Sequence, residues 1–251
     1  MKKRVKDLTW LHDFHIAHRG LHSKDGLIPE NSKSAFDLAL KHGYAIECDV
    51  NVLKDGTAIV FHDYSLKRLC NDNRLLSEVN WFDVENIHIG NTTEKIVRFD
   101  TFLKDINGQT PLLIELKPHG NTKLLCQSVM NDLRDYQGLY AIFSFHPKVV
   151  HYLKKHHPEV IRGQIAESFK QDQHMPRIVK WMMKKMMFNV LTKPDFISYG
   201  IKDMPNKQLD RLKRKGLTII SYAAQSQEEL DFVRSRYHNV VFEYFIPMKK
   251  G

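Results

Sequence analysis

AIECDV, Ala45–Val50, is the stretch on which the fold turns. In a strand, side chains two apart share a face, so Glu47 and Asp49 project together while Cys48 points the other way. Similar short apolar runs recur on both sides: Phe14–Ala17, Ala58–Phe61, Leu112–Leu116, Leu139–Ser144, Ile161–Ile165, Phe196–Tyr199 and Leu217–Tyr222. Several are rich in Ile, Val and Phe, as buried parallel strands are. Helical patterns lie between them: Asn31–His42, Thr122–Asp135, Pro147–His156, Lys207–Lys215 and Gln227–Arg236. Asn31 is a candidate N-cap, and Gly43 and Gly216 are candidate helix stops. Strands alternating with helices over short links point to a parallel α/β fold. Eight strand candidates in 251 residues suit a TIM (β/α)8 barrel better than an open doubly wound sheet, which stays the alternative.

The longest interval between strands, Asp63–Pro111, holds NDNR, a short helical stretch at Ser77–Val84 and VRFDTFL. It reads as a small insertion after the third strand, within about 63–110, inside one domain spanning 1–251. Asp55-Gly56 reads as a turn without a catalytic part.

Charged clusters sit at four successive strand ends: His18-Arg19-Gly20, Glu47-Cys48-Asp49, His62-Asp63 and Glu115-Leu116-Lys117. In a parallel barrel these ends meet at one mouth, where catalytic groups gather. Three carboxylates converging there form a hard oxygen site suited to Mg2+ or Ca2+, and without a cation they would repel. Each piece alone has a plainer reading: an ExD pair as solvated surface, His62-Asp63 as the start of a turn. Four together argue for a site.

The basic balance, 38 Lys and Arg against 29 Asp and Glu, a net charge of +9, favours anionic partners. No helix-turn-helix, zinc-finger or RNA-binding signature favours nucleic acid, which is not expected as a partner. Cys48, Cys70 and Cys126 form no CxxC pair, which favours a reducing compartment. With no signal-peptide pattern or membrane-spanning apolar run, the expectation is a cytoplasmic protein.

The chain resembles the glycerophosphodiester phosphodiesterase family. The matching text is HRG at His18–Gly20, PENSKSAF at Pro29–Phe36, ECDV at Glu47–Val50, KDGTAIVFHD at Lys54–Asp63 and IELK at Ile114–Lys117. Weaker similarity continues through SFHP at Ser144–Pro147 and PDFISY at Pro194–Tyr199. The resemblance implies a TIM barrel with a small insertion after the third strand. It implies that Glu47, Asp49 and Glu115 bind the divalent metal, that His18 and His62 are general acid and base, and that Arg19 and Lys117 hold the phosphate. Asn31 is implied as a secondary site residue, with helix capping as its alternative. The activity implied is hydrolysis of a small-molecule glycerophosphodiester to glycerol 3-phosphate and an alcohol. A phospholipase D-like lipid phosphodiesterase and a non-catalytic phosphate- or lipid-binding barrel are the competing readings.

The second half departs from the family. Where the family often has a tryptophan near the eighth strand, this sequence has ISYAAQS, leaving Tyr222 to form part of that wall. Glu243-Tyr244-Phe245 stands where Thr-Asp is usual. The segment Met175–Leu191, MPRIVKWMMKKMMFNVL, is basic and rich in methionine. It is either a barrel helix with Met as adaptable core filler or an amphipathic surface with weak affinity for anionic membrane.

Overall fold

A computed structural model of the chain describes residues 6–168 and 176–248. Its contacts gather into two compact units, residues 16–142 and residues 1–15 with 143–251.

The unit of residues 16–142 holds strands β1 (Ile16–Ala17), β2 (Ala45–Val52), β3 (Ala58–Val60), β4 (Val97–Arg98) and β5 (Leu112–Leu116). β2 is its centre. It pairs in parallel with β1, through Ile16 opposite Ala45, and with β5, through Asp49 opposite Glu115. β5 is buried throughout, and β2 is buried from Ala45 to Asn51, as expected for parallel strands covered on both faces.

β3 departs from the sequence reading. The Ala58–Phe61 run was expected to be a third parallel strand. Instead the chain turns at Asp55-Gly56 and β3 runs back antiparallel along β2, with Val60 opposite Val50, and β4 pairs antiparallel on β3. Asp55 Oδ1 accepts from Thr57 N, and Gly56 has φ +87°, so this is the expected DG turn. β2 therefore runs on past Asp49 to Val52 because β3 gives its far end a partner. The chain between β3 and β5 contributes Phe61, Leu66, Val84 and Ile96 to a small buried apolar cluster that Leu53, just after β2, joins.

Helix Lys33–Lys41 follows the expected course, but Ser32, not Asn31, caps it: the Ser32 side chain accepts from Ala35 N. Gly43, at φ +71°, follows its end. The Ser77–Val84 stretch resolves into a 3-10 turn Leu76–Glu78 and a helical turn Trp81–Val84.

The chain leaves this unit within β6 (Tyr140–Ser144). The other unit continues with β7 (Ile161–Ala166), β8 (Phe196–Gly200), β9 (Thr218–Ala224) and β10 (Asn239–Phe242). β7, β8, β9 and β10 pair successively in parallel, and helices Pro147–His156, Lys207–Arg214 and Gln227–Arg236 come between strands. β10, only four residues long, is absent from the sequence-based strands. Asn239 fixes it: its Nδ2 donates to the carbonyls of Leu11 and Phe14, while Arg234 donates to its Oδ1.

Candidate metal and phosphate site

The sequence-derived candidates other than Tyr222 come together in the unit of residues 16–142. The acidic part follows from strand register. Glu47 and Asp49 point to one face of β2, and the parallel register sets Glu115 directly beside Asp49 on β5. One carboxylate oxygen from each of the three lies within 4.8 Å of the others, and all three residues are buried. Cys48, facing the other way, is fully buried, and burial raises its thiol pKa.

Two cations compensate this charge. Lys117 Nζ lies 2.7 Å from Glu115 Oε1 and 3.2 Å from Asp49 Oδ1. Arg19 Nε lies 3.1 Å from Asp49 Oδ2. Burial alone would raise the pKa of Asp49, but Lys117 and Arg19 outweigh it and hold the carboxyl well below its usual range. Glu47 goes the opposite way. Burial, then repulsion from Asp49 and Glu115, pushes its pKa well up. Burial also dominates at Glu115, whose pKa is raised although Lys117 opposes the shift.

These residues suit a divalent cation. Glu47 Oε1 is buried and has no hydrogen-bond partner, an expensive condition for a carboxylate oxygen unless a cation faces it. Oxygen donors alone make up the cluster, the ligand chemistry of a hard ion.

The turn after β1 is docked onto this cluster through its backbone. Arg19, at φ +52°, donates its N–H to Glu47 Oε2, and Gly20 donates to the Glu47 carbonyl. Gly20 has φ +77°, and a Cβ there would stand 2.8 Å from the Ala35 carbonyl carbon. Only glycine fits, which is the physical content of HRG. Asn31, at φ +55°, donates from Nδ2 to Asp49 Oδ2 and accepts from Asp49 N on Oδ1. Its side chain serves Asp49 rather than the helix, a correction to the capping alternative.

His18 Nε2 is 3.9 Å from Glu47 Oε2, and the His22 ring lies edge-on to the His18 ring. His62 follows β3, and its Nδ1 is 2.6 Å from Asp63 Oδ1. Asn51, buried on β2, fixes this corner: its Nδ2 donates to the carbonyls of Phe61, His62 and Asp63. Arg68 donates to both Asp63 oxygens and to both Glu30 oxygens, and Glu30 Oε1 also pairs with Arg19 at 2.6 Å. A continuous chain of ion pairs thus runs Asp49–Arg19–Glu30–Arg68–Asp63, and a hydrogen bond extends it to His62. Burial would raise the pKa of Asp63, but the His62 and Arg68 hydrogen bonds hold it well below the usual range. Near Lys117 and His62, the His119 pKa is lowered, first by desolvation and then by those two cations.

Glu30, Asn51, Arg68 and His119 were not among the sequence-derived candidates, and Asp63 was noted only as part of the His62-Asp63 cluster, with no role of its own. Glu30 and Asp63 lie inside quoted motifs, PEN and FHD, so adjacency to a candidate was their signal. Arg68, Asn51 and His119 carried none. Tyr222 stands on β9 in the other unit, where its hydroxyl donates to Glu167 Oε2 at 3.2 Å and its ring meets Phe145 edge-on.

The sequence matches the Glycerophosphoryl diester phosphodiesterase family over residues 18–242. A Bacillus subtilis relative, YhdW, whose name assigns it provisionally to glycerophosphodiester phosphodiesterases, is 34% identical over 111 residues, 41% of this chain and 44% of its own length. A glycerophosphodiester phosphodiesterase from Caldanaerobacter subterraneus is 36% identical over 76 residues, 30% of each chain. The aligned stretches thus span less than half of either relative. Among solved structures, an Oleispira antarctica phosphodiesterase in complex with the product sn-glycerol-3-phosphate superposes with a TM-score of 0.79 at 19% identity, covering 93% of this chain and 94% of the other. A glycerophosphodiester phosphodiesterase from Agrobacterium tumefaciens gives 0.68 at 21% identity, covering 92% and 96%. Such likeness shows the fold, the (β/α)8 barrel read from the sequence.

Proposed function

This chain belongs to the glycerophosphoryl diester phosphodiesterase family, and from that premise we propose that it hydrolyses a small glycerophosphodiester to glycerol 3-phosphate and an alcohol with the aid of a divalent metal ion. The observation that carries the proposal is the buried Glu47–Asp49–Glu115 cluster with two histidines and two cations on its borders. That the family match crosses both units supports reading the chain as one catalytic domain.

In this reading Glu47, Asp49 and Glu115 hold Mg2+ or Ca2+. When bound, the ion supplies positive charge to a phosphoryl oxygen as negative charge develops there. Arg19 offers its guanidinium fork to the phosphate, and Lys117 a point charge. His18 and His62 share the proton transfers: one accepts the proton of the attacking hydroxyl, the other protonates the leaving alkoxide. With His62 Nδ1 engaged by Asp63, Nε2 is the nitrogen left to exchange a proton with the reacting oxygens. Asp63 thereby positions His62, and Arg68 positions Asp63. Asn31 orients Asp49. The attacking hydroxyl belongs to water or to the neighbouring glycerol carbon; the second route passes through a cyclic phosphate.

Among the described residues no helix is long and apolar enough to cross a membrane. Three free cysteines, two of them buried, support action in a reducing compartment such as the cytoplasm.

The test is release of glycerol 3-phosphate from glycerophosphocholine, glycerophosphoethanolamine and glycerophosphoglycerol, with Mg2+, Ca2+ or EDTA. Turnover with Mg2+ or Ca2+ and none after metal removal is expected. Undiminished turnover by metal-stripped protein, or phosphocholine in place of glycerol 3-phosphate, refutes the proposal. His18→Ala and His62→Ala should each lower kcat about 10²- to 10⁴-fold with unchanged circular dichroism.

A further inference from the structure

The segment Pro176–Pro194 contains Arg177, Lys180, Lys184, Lys185 and Lys193 and no acidic residue. Its methionines divide between two roles. Met183 and Met186 are buried, in line with the core-filler reading, but other large apolar side chains face water. On helix Arg177–Lys184, Ile178 is 62% exposed and Trp181 is 50% exposed. They are three residues apart and so share a face, with Arg177 and Lys184 one turn to either side of Trp181. On the following helical turn, Asn189–Thr192, Val190 is 83% exposed and Leu191 is exposed beside it. The packed helix Pro147–His156 adds Lys154 and Lys155; Lys154 Nζ donates to the Leu191 carbonyl. An ordinary surface helix exposes charge and buries its apolar residues. Here exposed apolar side chains lie among cations. (Met175, the first residue of the stretch singled out from sequence, lies outside the described residues.)

We propose that this face docks on an anionic lipid bilayer surface. Trp181, Ile178, Val190 and Leu191 enter the headgroup boundary, and the surrounding Lys and Arg side chains keep their charges at the level of the lipid phosphates. Charge complementarity selects this occupant. A two-fold dimer through the same face would set its basic patch against itself. The segment is too short and too charged to span the bilayer, so it lies on the surface.

Co-sedimentation at low salt with phosphatidylcholine vesicles, with and without phosphatidylglycerol, tests the proposal. Binding to the phosphatidylglycerol vesicles alone, lost at high salt, is the expected result. Lys184→Gln with Lys185→Gln should weaken that binding about 25-fold, roughly fivefold per charge removed. Trp181→Ala should weaken it on the order of tenfold. All variants should hydrolyse soluble glycerophosphodiesters as the parent does, so this test is independent of the proposed catalytic function. Equal binding to both vesicle types, or no binding to either, overturns the proposal. So does a lipid-free dimer in sedimentation velocity that Trp181→Ala dissociates, which would assign the face to a second copy.

Discussion

Replacing Lys117 with methionine tests the electrostatic account of the site most directly. Met keeps the length and apolar stem of lysine and removes only the ammonium. That ammonium lies within ion-pair distance of both Glu115 and Asp49, and its side chain is 12% exposed. Without it, the Arg19 guanidinium beside Asp49 must offset most of the negative charge of the three carboxylates. Breaking a largely buried ion pair costs about 3–5 kcal/mol. Glu47, whose pKa burial already pushes well up, takes a proton more readily and absorbs part of the repulsion, so the lower end, about 3 kcal/mol, is expected. For a domain of this size that is a fall in melting temperature of about 6–12 °C. The assay is differential scanning fluorimetry with excess EDTA, repeated with Mg2+ or Ca2+ added. In EDTA the variant should melt about 6–12 °C below the parent. An ion at a hundred times the variant's Kd should restore about 2.7 kcal/mol to the variant, and less to the parent, whose Lys117 competes with the ion for the carboxylates, so the gap narrows. A variant that melts with the parent in EDTA, or gains no more from divalent ions than the parent does, refutes the reasoning.

Glu47→Gln keeps the shape of a side chain whose buried Oε1 has no partner and removes the charge its surroundings resist. The metal-free protein should be at least as stable as the parent, while calorimetry should show divalent-ion affinity reduced at least about tenfold. Asp63→Asn should lower kcat roughly 10- to 100-fold with little change in KM, and its effect should not add to that of His62→Ala, because the two groups act as a unit. Outside the site, burial and then Asp100 push the Asp132 carboxyl up to about 6. Its folded pKa exceeds the unfolded value, so the group costs stability above pH 6, and the cost disappears once pH falls below the unfolded pKa of about 4. Asp132→Asn should therefore stabilise the protein at pH 7 by about 1 kcal/mol after allowance for partial solvent screening, and by nothing near pH 3.5. Urea titrations at the two pH values measure the difference.

Period-two alternation was enough to read Glu47 and Asp49 as facing one way, and helix-stop chemistry at Gly43 and Gly216 placed the ends of two helices within a residue or two. Strand direction was not legible. AIV at Ala58–Val60 has the composition of a buried parallel strand, and nothing local says that it turns back on β2. The expected eight parallel strands included β3 and left out β10, whose NVVF is too short to stand out without its partner β9. Asn31 and Ser32 are equally good capping residues by type, and only the left-handed backbone at Asn31, which aims its amide at Asp49, separates them. Register is the other silent quantity: Asp49 beside Glu115 is a tertiary fact spanning two distant strands. The Arg19–Glu30–Arg68–Asp63 chain is illegible for the same reason, since its members become neighbours only once the chain is folded.

The antiparallel return of β3 has a consequence for how the site assembles. Glu47, Asp49, His62 and Asp63 all belong to one hairpin closed by a tight turn, with Asn51 of the outgoing strand gripping the carbonyls around His62. Local loops of this size close in well under a millisecond, whereas the parallel pairing that brings Glu115 must first close a much longer loop. Much of the candidate site is thus a local module with its own internal alignment. That alignment is sensitive to length: one residue added or removed between Leu53 and Thr57 would shift the pairing by one and turn His62 to the opposite face, leaving every side chain present and the module inert.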